Sequence, residues 1–373
     1  MRARLNWGEP PWSRGPQLAP PANASISGNP EVAIIGAGLT GTSAALHLAR
    51  RGIKAVVYEA GSVADGASGR TGGLVLESTA AGPLDQVNDC VAGLARLVAE
   101  EHIDCDLTLP GCLEIEHHIA APEKMLPWTD AGRPVCIAKQ VAGGAVQPAA
   151  LTTGIARAAV RAGAVIREHA LVTRILLQPE LAFEVGVERI TPRYLVIATN
   201  AWINATIPDS PALRSSLTFA CATEPLDASA IAAIGLGKGI PFYTSDMPYL
   251  WGRTIADGRV IFGSGLVFGA PADLETTDVH MGESGAVLER LQRRVRGLHP
   301  MLAEVQFSAA WGGPIAFGDD AVPLLGTHPK HSRVMASGGY AGHGVALGVR
   351  AGELLALAVA ENHPLPAWGS LTR

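Results

Sequence analysis

Residues 31–60 read EVAIIGAGLTGTSAALHLARRGIKAVVYEA, and this stretch decides the fold. The apolar run at residues 31–35 is typical of a buried parallel strand. Residues 42–52 predict a helix that ends at Gly52, because glycine commonly follows the last helical turn. Residues 53–59 predict a second strand. A strand, a helix and a strand in about 30 residues form a βαβ unit, which favours a doubly wound α/β sheet.

The turn between the first strand and the helix has the spacing G-x-G-x-x-G at Gly36, Gly38 and Gly41. The first glycine permits the tight turn, the second lets the main chain approach a pyrophosphate, and the third lets the helix pack on the strand. The helix N-terminus offers unpaired N–H groups to phosphates. Glu59, at the end of the second strand, can accept hydrogen bonds from ribose hydroxyls and would repel a 2′-phosphate. The predicted dinucleotide contacts in this unit are Gly36, Ala37, Gly38, Leu39, Thr40, Gly41, Glu59 and Ala60.

The composition of the chain argues against several classes of function. Charged residues make up 17% of the chain, the net charge is −5 and no basic block occurs, so no nucleic-acid-binding surface is expected. The five cysteines form no C-x-x-C pair, which predicts free buried thiols, a reducing cytoplasmic location and no metal site. The N-terminus has no apolar core typical of a secretory signal, and no membrane span is predicted.

Four later motifs, rich in glycine or aromatic residues, identify the family. They are ASGRTGG at 67–73, ATNAW at 198–202, WGG at 311–313 and GYAGHG at 339–344. With the fingerprint, they resemble the D-amino-acid-oxidase-like superfamily of FAD-dependent amine oxidoreductases. The resemblance is to its sarcosine/glycine oxidase and γ-glutamylputrescine oxidoreductase-like branch. It implies further cofactor contacts at Ser68, Gly69, Arg70, Thr71, Gly72, Gly73, Val172, Thr199, Asn200, Trp202, Gly313, Gly339, Tyr340, Gly342, His343 and Gly344.

The resemblance also implies an architecture and a reaction. The expected fold is α/β, with a Rossmann-like FAD-binding domain of the glutathione-reductase type and an inserted α+β substrate domain around a mixed or antiparallel sheet. The reaction would move a hydride from a carbon next to an amine nitrogen to flavin N5, leaving an imine that water hydrolyses. The N-terminus of a helix at 345–361 would stabilise the charge of the reduced flavin. The predicted division is an N-terminal arm at 1–29, FAD-binding segments at 30–83, 146–214 and 318–373, and substrate segments at 84–145 and 215–317.

The substrate side is predicted from fewer signals. Tyr249, Trp251 and Arg253 alternate on one predicted strand and would share a face, either as a pocket wall with Arg253 for a carboxylate or as an ordinary sheet face. His343 is interpreted as a flavin or substrate contact or as a structural hydrogen bond, and Arg70 as a cofactor contact or as one half of an internal ion pair. The candidate catalytic residues are His343, Arg70, Tyr249, Trp251, Arg253, Trp311 and Tyr340.

The sequence departs from the family pattern at three positions, which bear on the substrate class, the attachment of FAD and the electron acceptor. Sarcosine-oxidase-like enzymes have a carboxylate-binding lysine where this chain has Ala346, which disfavours a simple 2-amino acid. No cysteine follows Cys221, so a cysteinyl flavin link near Trp311 is excluded and a noncovalent FAD is expected. The oxygen-activating lysine of some oxidases would fall near Ile261, so the acceptor is either oxygen or another carrier.

Other interpretations of the sequence stay open. One is a partner-dependent flavoprotein dehydrogenase subunit, and another is an NAD-dependent dehydrogenase that rests on the fingerprint alone. The sequence also leaves the oligomeric state open. Trp7 and Trp12 would pin the arm to the body of the protein or pack on a partner. The arginines at 290, 293, 294 and 296 are interpreted as a solvated helix end.

Overall fold

A computed structural model describes residues 5–13, 29–207, 211–244 and 246–371. Its strands are β1 Val32–Ile35, β2 Ala55–Tyr58, β3 Leu74–Leu76, β4 Cys112–Glu116, β5 Met125–Asp130, β6 Arg133–Val141, β7 Gly143–Ala145, β8 Val165–Arg167, β9 Val172–Leu176, β10 Ala182–Val185, β11 Glu188–Ile190, β12 Tyr194–Ile197, β13 Arg214–Thr223, β14 Phe242–Thr244, β15 Trp251–Thr254, β16 Val260–Phe268, β17 Phe307–Phe317, β18 Leu324–His328 and β19 His331–Gly338. Its α-helices are α1 Leu39–Ala49, α2 Ala67–Arg70, α3 Cys90–Glu100, α4 Pro148–Arg161, α5 Ile203–Thr206, α6 Ala228–Ala233, α7 Pro271–Thr276, α8 Gly282–Leu298 and α9 Ala346–Glu361. Short 3₁₀ helices lie at Pro122–Lys124, Asn200–Trp202, Pro300–Leu302 and Ala367–Gly369.

The fingerprint unit lies at the centre of a six-stranded sheet. The strand order is β18-β19-β12-β1-β2-β8, and all neighbours are parallel except β18 and β19. Every residue of β1 and β2 is buried, as expected for a parallel sheet that is covered on both faces. Helices α1, α4 and α9 share one core with one face of this sheet, and the small sheet β9–β11 packs on the other face. Helix α1 begins at Leu39, inside the fingerprint, rather than at residue 42.

A second sheet has eight strands in the order β17-β13-β16-β15-β14-β4-β6-β5. Its pairs are antiparallel except β14 with β4, which makes it a mixed sheet. The apolar face of α8 packs on this sheet, and Trp128 meets Phe242 edge-on in the same core, with ring centroids 4.6 Å apart. These two sheets confirm the predicted α/β fold with an added mixed sheet.

Helix α3 is shorter than the helix predicted at 84–103. It starts at Cys90, where the Glu77 carboxylate accepts the N–H groups of Cys90 and Val91, at 2.6 and 3.1 Å, and so caps the free helix end. Its apolar residues belong to the core of α1 and α9, although the predicted domain division assigns residues 84–145 to the substrate domain. The division itself stays a prediction.

The described part of the N-terminal arm, residues 5–13, packs on the eight-stranded sheet. Trp7 is fully buried, and its indole N–H donates to the Leu274 carbonyl at 2.7 Å. This contact agrees with the interpretation that the arm is pinned to the body of the protein. Residues 1–4 and 14–28 of the predicted arm lie outside the described residues. No helix in the described ranges has the length and apolar character needed to cross a membrane.

Candidate active site

A cavity of about 360 Å³ lies where the fingerprint turn meets the eight-stranded sheet. Its floor is the N-terminal end of α1 and the loop that contains α2, and its walls come from β13, β14, β17 and residues 340–345. Many predicted site residues line it, namely Gly38, Leu39, Thr40, Ser68, Arg70, Thr71, Gly72, Asn200, Tyr249, Trp251, Trp311, Gly313, Tyr340, Gly342, His343 and Gly344. The fold therefore brings the fingerprint and the later motifs together around one space.

Close main-chain contacts require two of the fingerprint glycines, Gly36 and Gly41. Gly36 has a φ of +100°, and a Cβ on Gly41 would lie 1.9 Å from the Gly36 carbonyl oxygen. Gly38 is the residue before α1, and no side chain of its own caps the helix. The N–H of Leu39 donates instead to Ser68 Oγ at 3.0 Å. The N-terminal end of α1 and the Ser68 hydroxyl therefore lie together at the cavity, in the arrangement that binds phosphates in other proteins.

Glu59 is held by main-chain donors. Its carboxylate accepts from the Ala37 N–H at 2.7 Å and from the Gly61 N–H at 2.9 Å. These hydrogen bonds fix the carboxylate at the end of β2, beside the fingerprint turn, where the sequence analysis expects a ribose. Glu59 does not line the cavity, and the other predicted contacts outside the lining are Gly36, Ala37, Gly41, Ala60, Gly69, Gly73, Val172, Thr199, Trp202 and Gly339.

Residues 339–344 form a turn that is bonded to the fingerprint. The Tyr340 hydroxyl lies 2.7 Å from Thr40 Oγ1 and 2.8 Å from Ser337 Oγ. Asn200 accepts the Gly339 N–H at 2.9 Å. Gly339 and Gly342 have φ values of +75° and +89°, a conformation that favours glycine. These contacts join motifs that lie far apart in the sequence into one wall of the cavity.

The end of this turn leads directly into α9. Gly344 and Val345 line the cavity, and Ala346 begins a helix of 16 residues with no side-chain cap. The helix N-terminus therefore carries its partial positive charge close to the cavity. His343 also lines the cavity, and burial lowers the pKa of its imidazole. The ring is therefore neutral at pH 7.

Arg70 is buried, and its guanidinium bonds to main-chain carbonyls. It donates to the Gly8 carbonyl at 2.7 Å, to that of Gly312 at 3.4 Å and to that of Asp65 at 3.1 Å. Glu9 Oε1 lies 3.9 Å from the Arg70 guanidinium, a long contact that agrees with the ion-pair interpretation of Arg70. The side chain is directed toward the arm and β17, while Arg70 still forms part of the cavity floor.

Tyr249, Trp251 and Arg253, which were predicted on one strand, have different surroundings in the structure. Tyr249 precedes β15, lines the cavity, and donates its hydroxyl to the Gly265 carbonyl at 2.9 Å. The Trp251 ring also lines the cavity and fits against Gly72 and Gly263, where any Cβ would overlap it. Arg253 lies outside the lining and donates to the Gly72 carbonyl at 2.6 Å. Tyr249 and Trp251 therefore form part of the cavity wall, whereas Arg253 lies behind the lining, and the predicted substrate roles of the three residues stay predictions.

Several lining residues were missed by the sequence analysis. They are mainly Tyr243 and Thr244 on β14, Phe219 on β13, Leu74 and Leu76 on β3, and Ile315 on β17. The Tyr243 hydroxyl donates to Glu114 at 2.9 Å, because β14 pairs with β4. No local pattern along a strand reveals whether that strand adjoins the cavity.

The cavity carries little charge. Burial raises the pKa of Tyr249 to about 12, and it also raises the pKa values of Tyr243 and Tyr340. These phenols are therefore protonated at neutral pH. Among the described residues that line the cavity there is no lysine, aspartate or glutamate, and Arg70 is the one permanent cation.

The residues present fit a flavin dinucleotide. The fingerprint turn has no room for a Cβ at Gly36 or Gly41, the N-terminal end of α1 lies at the cavity, and the lining continues from that end to the aromatic wall. FAD would be held by main chain at Gly38 and Leu39, by Ser68, and by the 339–345 turn. None of the five cysteines lines the cavity, which agrees with a noncovalent cofactor. No group of metal-binding side chains occurs within the described ranges.

The fold and the cavity together define a dinucleotide-dependent oxidoreductase of the flavoprotein type. Residues 31–358 match the protein family described as FAD dependent oxidoreductase (DAO), and the chain belongs to this family. The γ-glutamylputrescine oxidoreductase of Escherichia coli (strain K12) is 28% identical over 374 residues, which cover 87% of this chain and 82% of that protein.

Two solved structures have the same fold. Glycine oxidase from Geobacillus kaustophilus superposes with a TM-score of 0.72 and 20% identity, covering 92% of this chain and 98% of that one. L-Proline dehydrogenase from P. horikoshii gives a TM-score of 0.73 at 19% identity, covering 93% and 98%. FAD is the cofactor of the family that residues 31–358 match, and therefore of this oxidoreductase.

Proposed function

We propose that this flavoprotein oxidises the C–N bond of an amine whose reacting carbon bears no carboxylate. One observation carries the proposal, which is the nearly uncharged lining of the cavity. Among the lining residues that the structure describes, Arg70 is the one permanent cation, and it donates to the main chain of Gly8 and Gly312. A carboxylate that entered this space would lose water without gaining a free cationic partner.

The same lining suits a neutral amine. An apolar environment disfavours an ammonium ion, so it lowers the pKa of a bound amine and frees the nitrogen lone pair. The phenol of Tyr249 and the imidazole of His343 are uncharged groups that can form hydrogen bonds with such a nitrogen. FAD, when bound, supplies the two-electron acceptor. The amine loses a hydride from carbon and a proton from nitrogen, and water hydrolyses the resulting imine to a carbonyl compound and a smaller amine or ammonia.

Position 346 supports the same substrate class. The family resemblance places a carboxylate-binding lysine there, whereas Ala346 is a buried residue in the first turn of α9. The relative named γ-glutamylputrescine oxidoreductase also supports an amine substrate. A glycine oxidase of Bacillus licheniformis, 24% identical over 370 residues, makes an amino acid the alternative to test.

The electron acceptor and the location stay predictions. The acceptor is oxygen or another carrier, and the rate at which the reduced protein regains its colour in air distinguishes them. The five cysteines are all free and buried, which supports the predicted cytoplasmic location.

Anaerobic titration of the purified yellow protein tests the proposal. A panel of primary and secondary amines and 2-amino acids is added, and bleaching of the flavin band is recorded. We expect bleaching by one or more amines, with a carbonyl product. A flavin that no amine reduces would contradict the proposal. Bleaching that requires a second polypeptide would favour the dehydrogenase-subunit interpretation, and turnover of NAD without flavin would favour an NAD-dependent dehydrogenase.

A further inference from the structure

Residues 5–13 are connected to both sides of the FAD cavity. On one side is α2, which contributes Ala67, Ser68 and Arg70 to the cavity floor. On the other side is β17, the edge strand of the eight-stranded sheet, which contributes Trp311 and Gly313 to the wall. The arm contacts α2 and β17 through main-chain groups and through indole rings.

The first set of contacts joins the arm to β17. Gly8 forms an antiparallel bridge with Trp311, and the Gly312 N–H donates to the Trp7 carbonyl at 2.7 Å. Gly8 has a φ of +67°, and a Cβ on it would lie 2.2 Å from the Ala310 carbonyl oxygen. Residues 7 and 8 therefore pair with main-chain groups of β17 at the edge of the sheet, which an edge strand would otherwise leave without a neighbouring strand.

The second set of contacts joins the arm to α2. The last carbonyls of a helix lack partners within it, and here two indole N–H groups supply them. Trp12 donates to the Gly69 carbonyl at 2.9 Å, and Trp311 donates to the Arg70 carbonyl at 2.8 Å. The Arg70 guanidinium donates in the opposite direction, to the Gly8 carbonyl at 2.7 Å.

The aromatic rings pack these contacts together. Trp12 meets Trp311 edge-on with ring centroids 5.5 Å apart, and the Arg253 guanidinium lies 5.8 Å from the Trp12 ring. Arg253 is itself bonded to the Gly72 carbonyl, at the far end of the cavity floor. Displacing Trp12 would therefore loosen residues 69–72 at two points.

We propose that residues 5–13 are a positioning element of the FAD site, and that Trp12 holds residues 69–72 in the conformation that binds FAD. Apolar packing by Trp7 anchors the element, while Trp12 and Gly8 transmit its position to α2. The inference rests on FAD as the family's cofactor and does not depend on which substrate is oxidised.

The test compares two conservative variants of the full chain. W12F keeps an aromatic ring and removes the N–H that donates to Gly69. W368F is a matched control, because Trp368 is also half-buried and donates its indole N–H to the Asp85 carbonyl at 2.9 Å, away from the cavity. FAD-free protein is titrated with FAD, and the Kd is read from flavin fluorescence. Thermal unfolding of the FAD-free proteins reports the structural cost of each change.

We expect W12F to raise the Kd for FAD about fivefold, the equivalent of one net hydrogen bond. W368F should leave the Kd for FAD unchanged, while it lowers the unfolding temperature by about as much as W12F does. Deletion of residues 1–13 should weaken FAD binding further wherever the protein still folds. An unchanged Kd in W12F, or an equal rise in W368F, would overturn the proposal. Because the readout is binding, a failure here is distinct from a failure of the proposed amine oxidation.

Discussion

The hydroxyl of Tyr340 lies 2.7 Å from Oγ1 of Thr40, although the two residues are 300 positions apart in the chain. Thr40 belongs to the fingerprint, and Tyr340 belongs to the turn that leads into α9. The contact therefore ties the first and last motifs of the family pattern together, and it does so at the wall of the cavity.

Removing the Tyr340 hydroxyl should lower the free energy of unfolding. Y340F leaves the buried Thr40 hydroxyl without this partner and also breaks the contact with Ser337, so we expect a loss of about 2 kcal/mol in unfolding free energy. Urea denaturation of the FAD-free protein measures it. Y194F is the control, because Tyr194 is partly exposed at the start of β12, and it should change stability little. Equal losses in both variants would contradict this account of Tyr340.

A buried charge cluster stabilises the loop that carries Tyr249. Both ring nitrogens of His117 face carboxylates, at 2.8 Å from Asp130 and 2.7 Å from Asp246. Arg294 donates to Asp130 and also to the Tyr249 carbonyl. Burial alone would raise the pKa of Asp130, but the hydrogen bonds from Arg294 and His117 outweigh it and the pKa is lowered.

The sign of this pKa shift sets the pH dependence of stability. A carboxyl whose pKa is lowered in the folded state contributes stability above its ordinary pKa, and that stability is lost as the pH falls through the folded value. We expect D130N to lower the unfolding free energy by about 3 kcal/mol at pH 7, with the difference shrinking as the pH falls below 4. Denaturation curves at several pH values measure this. D319N, at an exposed carboxyl, should track the wild type, and a pH-independent difference for D130N would argue against the ionised pair.

His343 should not be the group whose titration sets the pH dependence of the reaction. Burial lowers the pKa of its imidazole, so the ring is already neutral above its ordinary value near 6.5. The rise of kcat/KM with pH should then report deprotonation of the amine. H343N should lower kcat/KM and keep the shape of the pH profile. A flat profile in H343N would show instead that His343 is the titrating group.

Many of the predicted cofactor contacts line one cavity, because they were predicted from main-chain geometry. Gly36 and Gly41 mark backbone positions that favour glycine, and such positions are visible in the sequence. The wall residue Tyr243 was missed because its position depends on sheet order, which pairs β14 with β4. Trp12 was noted, but its partner Gly69 could not be inferred from local pattern.

The partners of the charged side chains were harder to predict than the positions that require glycine. Arg294 was interpreted as part of a solvated helix end, but it is largely buried in an ion pair with Asp130. His117 was given no role, although it bridges two carboxylates. Such long-range pairs join β5, α8 and the β14–β15 loop, so no spacing along the chain reveals them.

The most direct test of the central claim is the rate of flavin reduction by matched substrate pairs. Each pair contains an amine and the 2-amino acid with the same side chain, and each is mixed anaerobically with the FAD-loaded protein. We expect the amine of a pair to reduce the flavin at least about tenfold faster, because Arg70, the one cation among the described lining residues, is bonded to main-chain carbonyls. Faster reduction by the amino acid in every pair would contradict it.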